Sequence, residues 1–145
     1  MTHLRDLASN LDLKRGLSPK AAGTGNTAYV SEILDTRSIR GAVFAILIGA
    51  NTDSDATFTT LVEDGDQANL SDATAVDDAY LIGTEAQASF TAADDDNEVR
   101  KIGYVGNKRY VRVTITPAAN DSGNNFVAGV WITDPLTKPA ANPPA

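Results

Sequence analysis

The chain of 145 residues has no cysteine, one histidine and one tryptophan, and each scarcity removes a class of chemistry. Without cysteine there is no disulfide framework, no thiolate metal site and no sulfur redox chemistry, so the fold must stand on packing alone. The only histidine, His3, falls in a terminal segment that the sequence predicts to be an arm. A serine or cysteine triad would therefore lack a positioned general base. The longest apolar stretch, Ala42 to Ile48, is far short of the roughly 20 residues that span a bilayer. The opening Met1 to Asp6 lacks the apolar core of a secretory signal, which predicts synthesis in the cytosol.

Positive charge is missing from the middle of the chain. Residues 41–99 hold thirteen Asp/Glu and no Lys or Arg, whereas 1–40 carry six Lys/Arg against four Asp/Glu, and 100–145 carry six against Asp121 and Asp134. The formal net charge is -7. A surface built from the middle segment repels phosphate, which argues against nucleic acid as a partner. The basic ends remain available for acidic protein surfaces, including this chain's own.

What the sequence does contain is β signal. Short segments rich in Val, Ile, Thr and aromatics, punctuated by Gly, Asn and Asp, predict strands near 27–34, 38–48, 56–63, 79–82, 85–91, 98–105, 108–117 and 125–133. About eight short antiparallel strands predict an all-β sandwich of two packed sheets. Ala42 to Ile48 is apolar throughout, which predicts a central strand covered on both faces. A helical turn is expected at Ala73 to Asp78. Residues 1–26 are broken by Ser18-Pro19 and Gly23-Thr24-Gly25 and are predicted to form an N-terminal arm, in which Leu4, Leu7 and Leu11 recur at helical spacing. The domain is then 27–134, and 135–145 is a Pro/Ala-rich tail.

The run from Val99 to Thr116 holds the most detail. Gly106-Asn107 between two β-rich stretches predicts a two-residue hairpin. Its register would set Ile102 with Val111 and Val113 on one face, and Lys101, Lys108, Tyr110 and Arg112 on the other. Lys101 opposite Arg112 is unfavourable without an acidic group between them. The chain's own Asp94-Asp95-Asp96 and a carboxylate-rich partner patch are the two candidates. Asp53-Ser54-Asp55 and Asp94 to Glu98 offer hard oxygen ligands for calcium without the spacing of a helix-loop-helix calcium loop. Gly103-x-x-Gly106 lacks the strand-to-helix context of a phosphate loop.

The stretch Ile102-Gly103-Tyr104-Val105-Gly106-Asn107-Lys108-Arg109-Tyr110-Val111-Arg112-Val113, with the opening Leu4-Arg5-Asp6-Leu7 and the late strand Val127 to Trp131, resembles the capsid decoration, or cement, proteins of tailed bacteriophages. The resemblance implies a jelly-roll-like sandwich with extended N-terminal arm and C-terminal tail. It also implies a place on the outer face of an assembled shell, clamping neighbouring major capsid protein subunits as a homodimer or homotrimer. No catalytic residue follows from it, and no cofactor, nucleic acid or membrane is expected. The contact residues expected are Leu4, Leu7 and Leu11 of the arm with Lys101, Lys108, Tyr110 and Arg112. A carbohydrate- or calcium-binding β-sandwich module and a head-tail component are the alternatives.

Overall fold

The computed structural model describes residues 5–19 and 21–144. Its architecture is the expected one: two antiparallel sheets packed face to face, in a jelly-roll-like sandwich. The first sheet has five strands in the order β1 (Asp12–Leu17), β11 (Val127–Pro135), β4 (Ile39–Ile48), β9 (Val99–Tyr104) and β7 (Leu81–Ile82). The second has six. Its central pair is β10 (Tyr110–Ala118) and β5 (Thr57–Gly65), extended by β2 (Tyr29–Val30), β3 (Leu34–Asp35), β6 (Thr74–Ala75) and β8 (Phe90–Thr91).

The core follows from period-2 alternation, because side chains on successive strand residues point to opposite faces. Phe44, Ile46, Ile102, Tyr104 and Trp131 of the five-stranded sheet meet Phe58, Val62, Val111, Val113 and Ile115 of the six-stranded one, all buried. Phe44 meets Trp131 edge-on with centroids 4.8 Å apart, and Phe58 stacks on Phe90 at 4.7 Å. Both geometries suit the ring quadrupole. Trp131 Nε1 donates to the Glu32 carbonyl at 3.2 Å, so its polar end is satisfied inside the core. A β-carbon on Gly16 or Gly129 would overlap the Phe44 ring, so those two glycines make room for the aromatic centre of the core.

Four local expectations are corrected. Asp12–Leu17, assigned to the arm, is edge strand β1, with Leu13 paired to Ile132 and Arg15 to Val130. Its alternation is weak, because a register shift after Arg15 leaves Leu13 exposed and turns Leu17 into the core, and the neighbouring Pro and Gly breakers point to an arm. Residues 85–91 are not one strand. Glu85–Ala88 is a helical turn, α1, closed by a capping box between Thr84 and Gln87, with Phe90–Thr91 beyond it. The turn expected at Ala73 to Asp78 is displaced: Thr74–Ala75 is strand, and the 3-10 turn is Asp78–Tyr80, capped by Asp77.

The fourth correction is the largest. β9 and β10 do not pair with each other: β9 lies between β4 and β7, and β10 pairs with β5. Residues 105–109 therefore cross from one sheet to the other, and neither Gly106 nor Asn107 has a positive φ, which the primed hairpin turns require. Gly106 serves another purpose, since a β-carbon there would overlap the Tyr104 ring. Tyr104 itself joins the sheets: its hydroxyl donates to Asp64 Oδ2 of β5 at 2.7 Å and accepts from the Lys108 N–H at 3.2 Å. Burial, reinforced by Asp64, pushes the phenol pKa well above its ordinary value.

Candidate docking surface

On the five-stranded sheet the residues interleaved with the core point outward, and the pairing register arranges them in rows. One row runs Leu13, Ile132, Val43, Gly103, Ile82 across all five strands. The next runs Arg15, Val130, Ala45, Lys101, and the third Ala128, Leu47, Val99. Ten of these twelve residues are uncharged and apolar or glycine, an outer face composed like an interior one. Ile82 is 64% exposed, Val99 63% and Leu47 50%. The expectation that Ala42 to Ile48 is covered on both sides is thus half met. Ala42, Phe44, Ile46 and Ile48 are in the core, while Val43 and Leu47 face outward, Val43 half-buried and Leu47 exposed.

Above the first row lies a groove of about 350 Å³, lined by Leu11, Gly41, Val43, Ile82, Lys101, Gly103, Ile132 and Asp134 among others. Leu11 reaches it because the segment before β1 folds into a single turn, closed by Leu11 N–H donating to the Leu7 carbonyl at 2.9 Å. That turn is tied to the C-terminal tail. Ala140 N–H donates to the Ser9 carbonyl at 2.8 Å, and Lys138 Nζ donates to the Asn10 carbonyl at 2.7 Å. Lys138 also pairs with Asp134 at 2.7 Å and lowers that carboxyl's pKa. Leu7, Leu11 and Leu13 line a second depression with Ala141 and Pro144. The two terminal segments therefore lie together at the β1 edge of the apolar face.

The six-stranded sheet presents a different exterior. Its outward rows are Asp35, Tyr110, Gly65, then Arg112, Glu63, Ala75, then Val30, Thr114, Leu61, followed by Thr116 with Thr59 and Ala118 with Thr57. Its charges are paired. Arg112 Nε meets Glu63 Oε2 at 3.0 Å, Lys108 Nζ meets Asp66 at 2.6 Å, and Arg109 meets Asp35 at 2.8 Å while covering the Tyr110 ring at 4.8 Å. Arg109 lowers the Asp35 pKa, and Asp66 raises that of Lys108.

The expected contact residues are therefore divided. Leu7, Leu11 and Lys101 belong to the surroundings of the five-stranded sheet, and Lys108, Tyr110 and Arg112 to the six-stranded one. Leu4 lies outside the described residues. The single basic face joining Lys101 to Arg112 does not form, because their strands are in different sheets and Lys101 pairs in register with Ala45. The carboxylates that answer Lys108 and Arg112 come from Asp66 and Glu63. Asp95 and Glu98 instead hold Arg100, and Asp96 accepts from the Asn51 N–H. Val43, Ile82 and Ile132, which dominate the groove, were not singled out in the sequence. The signal for Val43 and Ile132 is the apolar residue at every second position of β4 and β11, which reads equally well as core, and the two-residue β7 is too short for Ile82 to show any.

The acidic loops serve the fold. Asp53 is buried and accepts from the Ser122 N–H at 2.8 Å. That bond, with help from Asp55, brings its pKa down to about 2, while Asp53 raises that of Asp55. No group of three or more acidic or histidine side chains able to hold a metal ion occurs among the described residues.

No protein-family model matches the chain, and no curated protein does. Solved structures do. The PBSX exported protein XepA shares the fold with a TM-score of 0.52 at 14% identity, over 89% of this chain and 38% of that one. This chain spans well under half of that protein. The xylan-binding module CBM15 aligns with a TM-score of 0.41 at 15% identity, over 89% of this chain and 93% of the module. A CBM36-1 domain of a multidomain xylanase from the hindgut metagenome of Trinervitermes trinervoides gives 0.39 at 10%, over 85% and 96%. At these identities the likeness concerns the fold alone.

Proposed function

We propose that this chain is a structural protein of a phage virion, one that binds the outer surface of an assembled capsid and stabilises it by clamping neighbouring major capsid subunits. One observation carries the reading: the central strand β4 is apolar on both sides, and among the described residues only one side lies in the core. Contiguous exposed apolar surface of this kind marks a site of protein contact. The two terminal segments at one edge of that face would enlarge the contact beyond what a single small domain offers. Many weak contacts on one lattice would then add up through multivalency.

A carbohydrate-binding reading is less well supported. Sugar recognition would draw on a platform of exposed aromatic rings, whereas Phe44, Phe58, Phe90, Tyr104 and Trp131 are buried here, and the exposed rings, Tyr80 at 47% and Phe126 at 39%, lie in separate segments outside the outward rows. The partly exposed Tyr110 is occupied by Arg109.

The test uses empty shells assembled from the major capsid protein encoded in the same genome. The full chain is expected to co-sediment with them and to raise the temperature at which they break. Shells that leave the chain in the supernatant, or that break at one temperature with and without it, would refute the proposal.

A further inference from the structure

Lys101 is an anomaly on the face that carries it. The other charge within the outward rows is answered: Arg15 pairs with Glu32 at 3.0 Å. Beside the rows, Asp134 is held by Lys138 at 2.7 Å, and the exposed Arg40 lies near enough to lower the Asp134 pKa further. Lys101 has no ion pair among the described residues, although the chain holds nineteen acidic residues. It stands on β9 with Ala45 of β4 beside it in register and Val99 and Gly103 on its own strand, beyond the reach of the two-residue β7. An ammonium on apolar ground, once water is excluded by a partner, needs an opposite charge in hydrogen-bonding reach.

The groove beside Lys101 also has depth to spare. Gly41 lies in its lining, and nothing lies within 4 Å of where a Gly41 β-carbon would stand. Gly41 has no positive φ, so its backbone does not require glycine. The residue leaves room above the sheet where a side chain from elsewhere can enter. A second copy of this chain is a poor occupant, because a two-fold contact through this face would bring its unpaired lysines towards each other with no free carboxylate among the outward rows.

We infer that the groove receives a peptide segment of the partner in which a carboxylate is flanked by aliphatic side chains, the carboxylate pairing with Lys101 and an aliphatic group entering the space over Gly41. This rests on the docking role proposed above for the same face and gives it a chemistry.

The experiment titrates the full, 15N-labelled chain with two synthetic peptides, each a Leu-Val-X-Val-Leu core with Gly-Ser ends, where X is Glu in one and Gln in the other. The Glu peptide should shift the amides of Gly41, Lys101 and Gly103 and bind roughly fivefold more tightly than its Gln twin, the weight of one modest ion pair. Lys101→Glu should remove that preference. Gly41→Leu should remove the shifts while leaving the rest of the spectrum in place. Equal affinity for the two peptides, shifts that survive Gly41→Leu, or no shifts at millimolar peptide would each overturn the inference, as would a dimer in sedimentation equilibrium that Gly41→Leu dissolves. The same two variants on shells separate this inference from the proposed function. Shells that bind both variants as well as the parent defeat the groove and leave capsid binding standing, whereas shells that bind no form of the chain defeat the capsid and leave the peptide titration to decide the groove.

Discussion

The outer faces of the two sheets are built by the same alternation and differ in how they treat charge. Over the six-stranded sheet the outward positions are four threonines and paired charges such as Arg112 with Glu63, standing among Val30, Leu61, Tyr110 and small residues, a mixed face. Over the five-stranded sheet they are Leu13, Ile132, Val43, Val130 and Leu47, around one unanswered lysine. Both faces are equally compatible with the fold, since the core lies on the other side of each sheet. The proposed docking role accounts for this difference: one face would meet solvent and the other a partly apolar partner surface.

The comparison can be broken at its root by emptying the shared core. Phe44→Ala removes the ring held between Gly16, Gly129 and Trp131 and should cost about 3–5 kcal/mol, read as a lowered denaturation midpoint with both faces lost together. Loss of one sheet's protected amides before the other's in hydrogen exchange would show that the sheets do not share a single core. Next in size is the tie between the sheets. Tyr104→Phe leaves the buried Asp64 without its donor and should cost about 1–3 kcal/mol. Unchanged urea unfolding would show that water replaces the hydroxyl at no penalty.

Acid provides a third probe. The folded Asp53 has a pKa of about 2 against 3.8 for the free group, so its contribution is complete above the unfolded value and is lost as pH falls from roughly 4 through 2. Thermal melts should decline across that window, and Asp53→Asn should flatten the decline. An identical decline in that variant would assign acid sensitivity elsewhere. The smallest effect belongs to the mixed face. Arg112→Ala should cost no more than about 1 kcal/mol and leave shell binding intact, whereas a loss of binding there would erase the contrast between the faces.

The fold class was legible in the sequence because alternation and turn residues are local signals, and β4, β5, β9, β10 and β11 fall close to where the pattern puts them. β1 was obscured by the breakers around it. The strand expected at 85–91 was displaced by the Thr84 to Gln87 capping box, a short-range signal stronger than the β propensity of the flanking residues. The site was legible only in fragments. Helical spacing points to Leu11 and the charge pattern of the 99–116 run to Lys101, and nothing in their spacing places a residue before β1 beside one on β9.

The sequence by itself determined that the chain makes a cysteine-free sandwich whose alternating residues form one core, and that its positive charge lies outside the middle segment. Tertiary structure alone decided which strands are neighbours, and with them which face each charge joins. The stretch Val105 to Arg109 shows why. A glycine and an asparagine between two β-rich runs satisfy a tight hairpin and a crossing between sheets equally well, and the choice falls to long-range packing. Here Tyr104 is buried against Gly106 and bonded to Asp64, and Ile102 and Val111 enter one core from opposite sheets. A local hairpin would have kept them side by side in one.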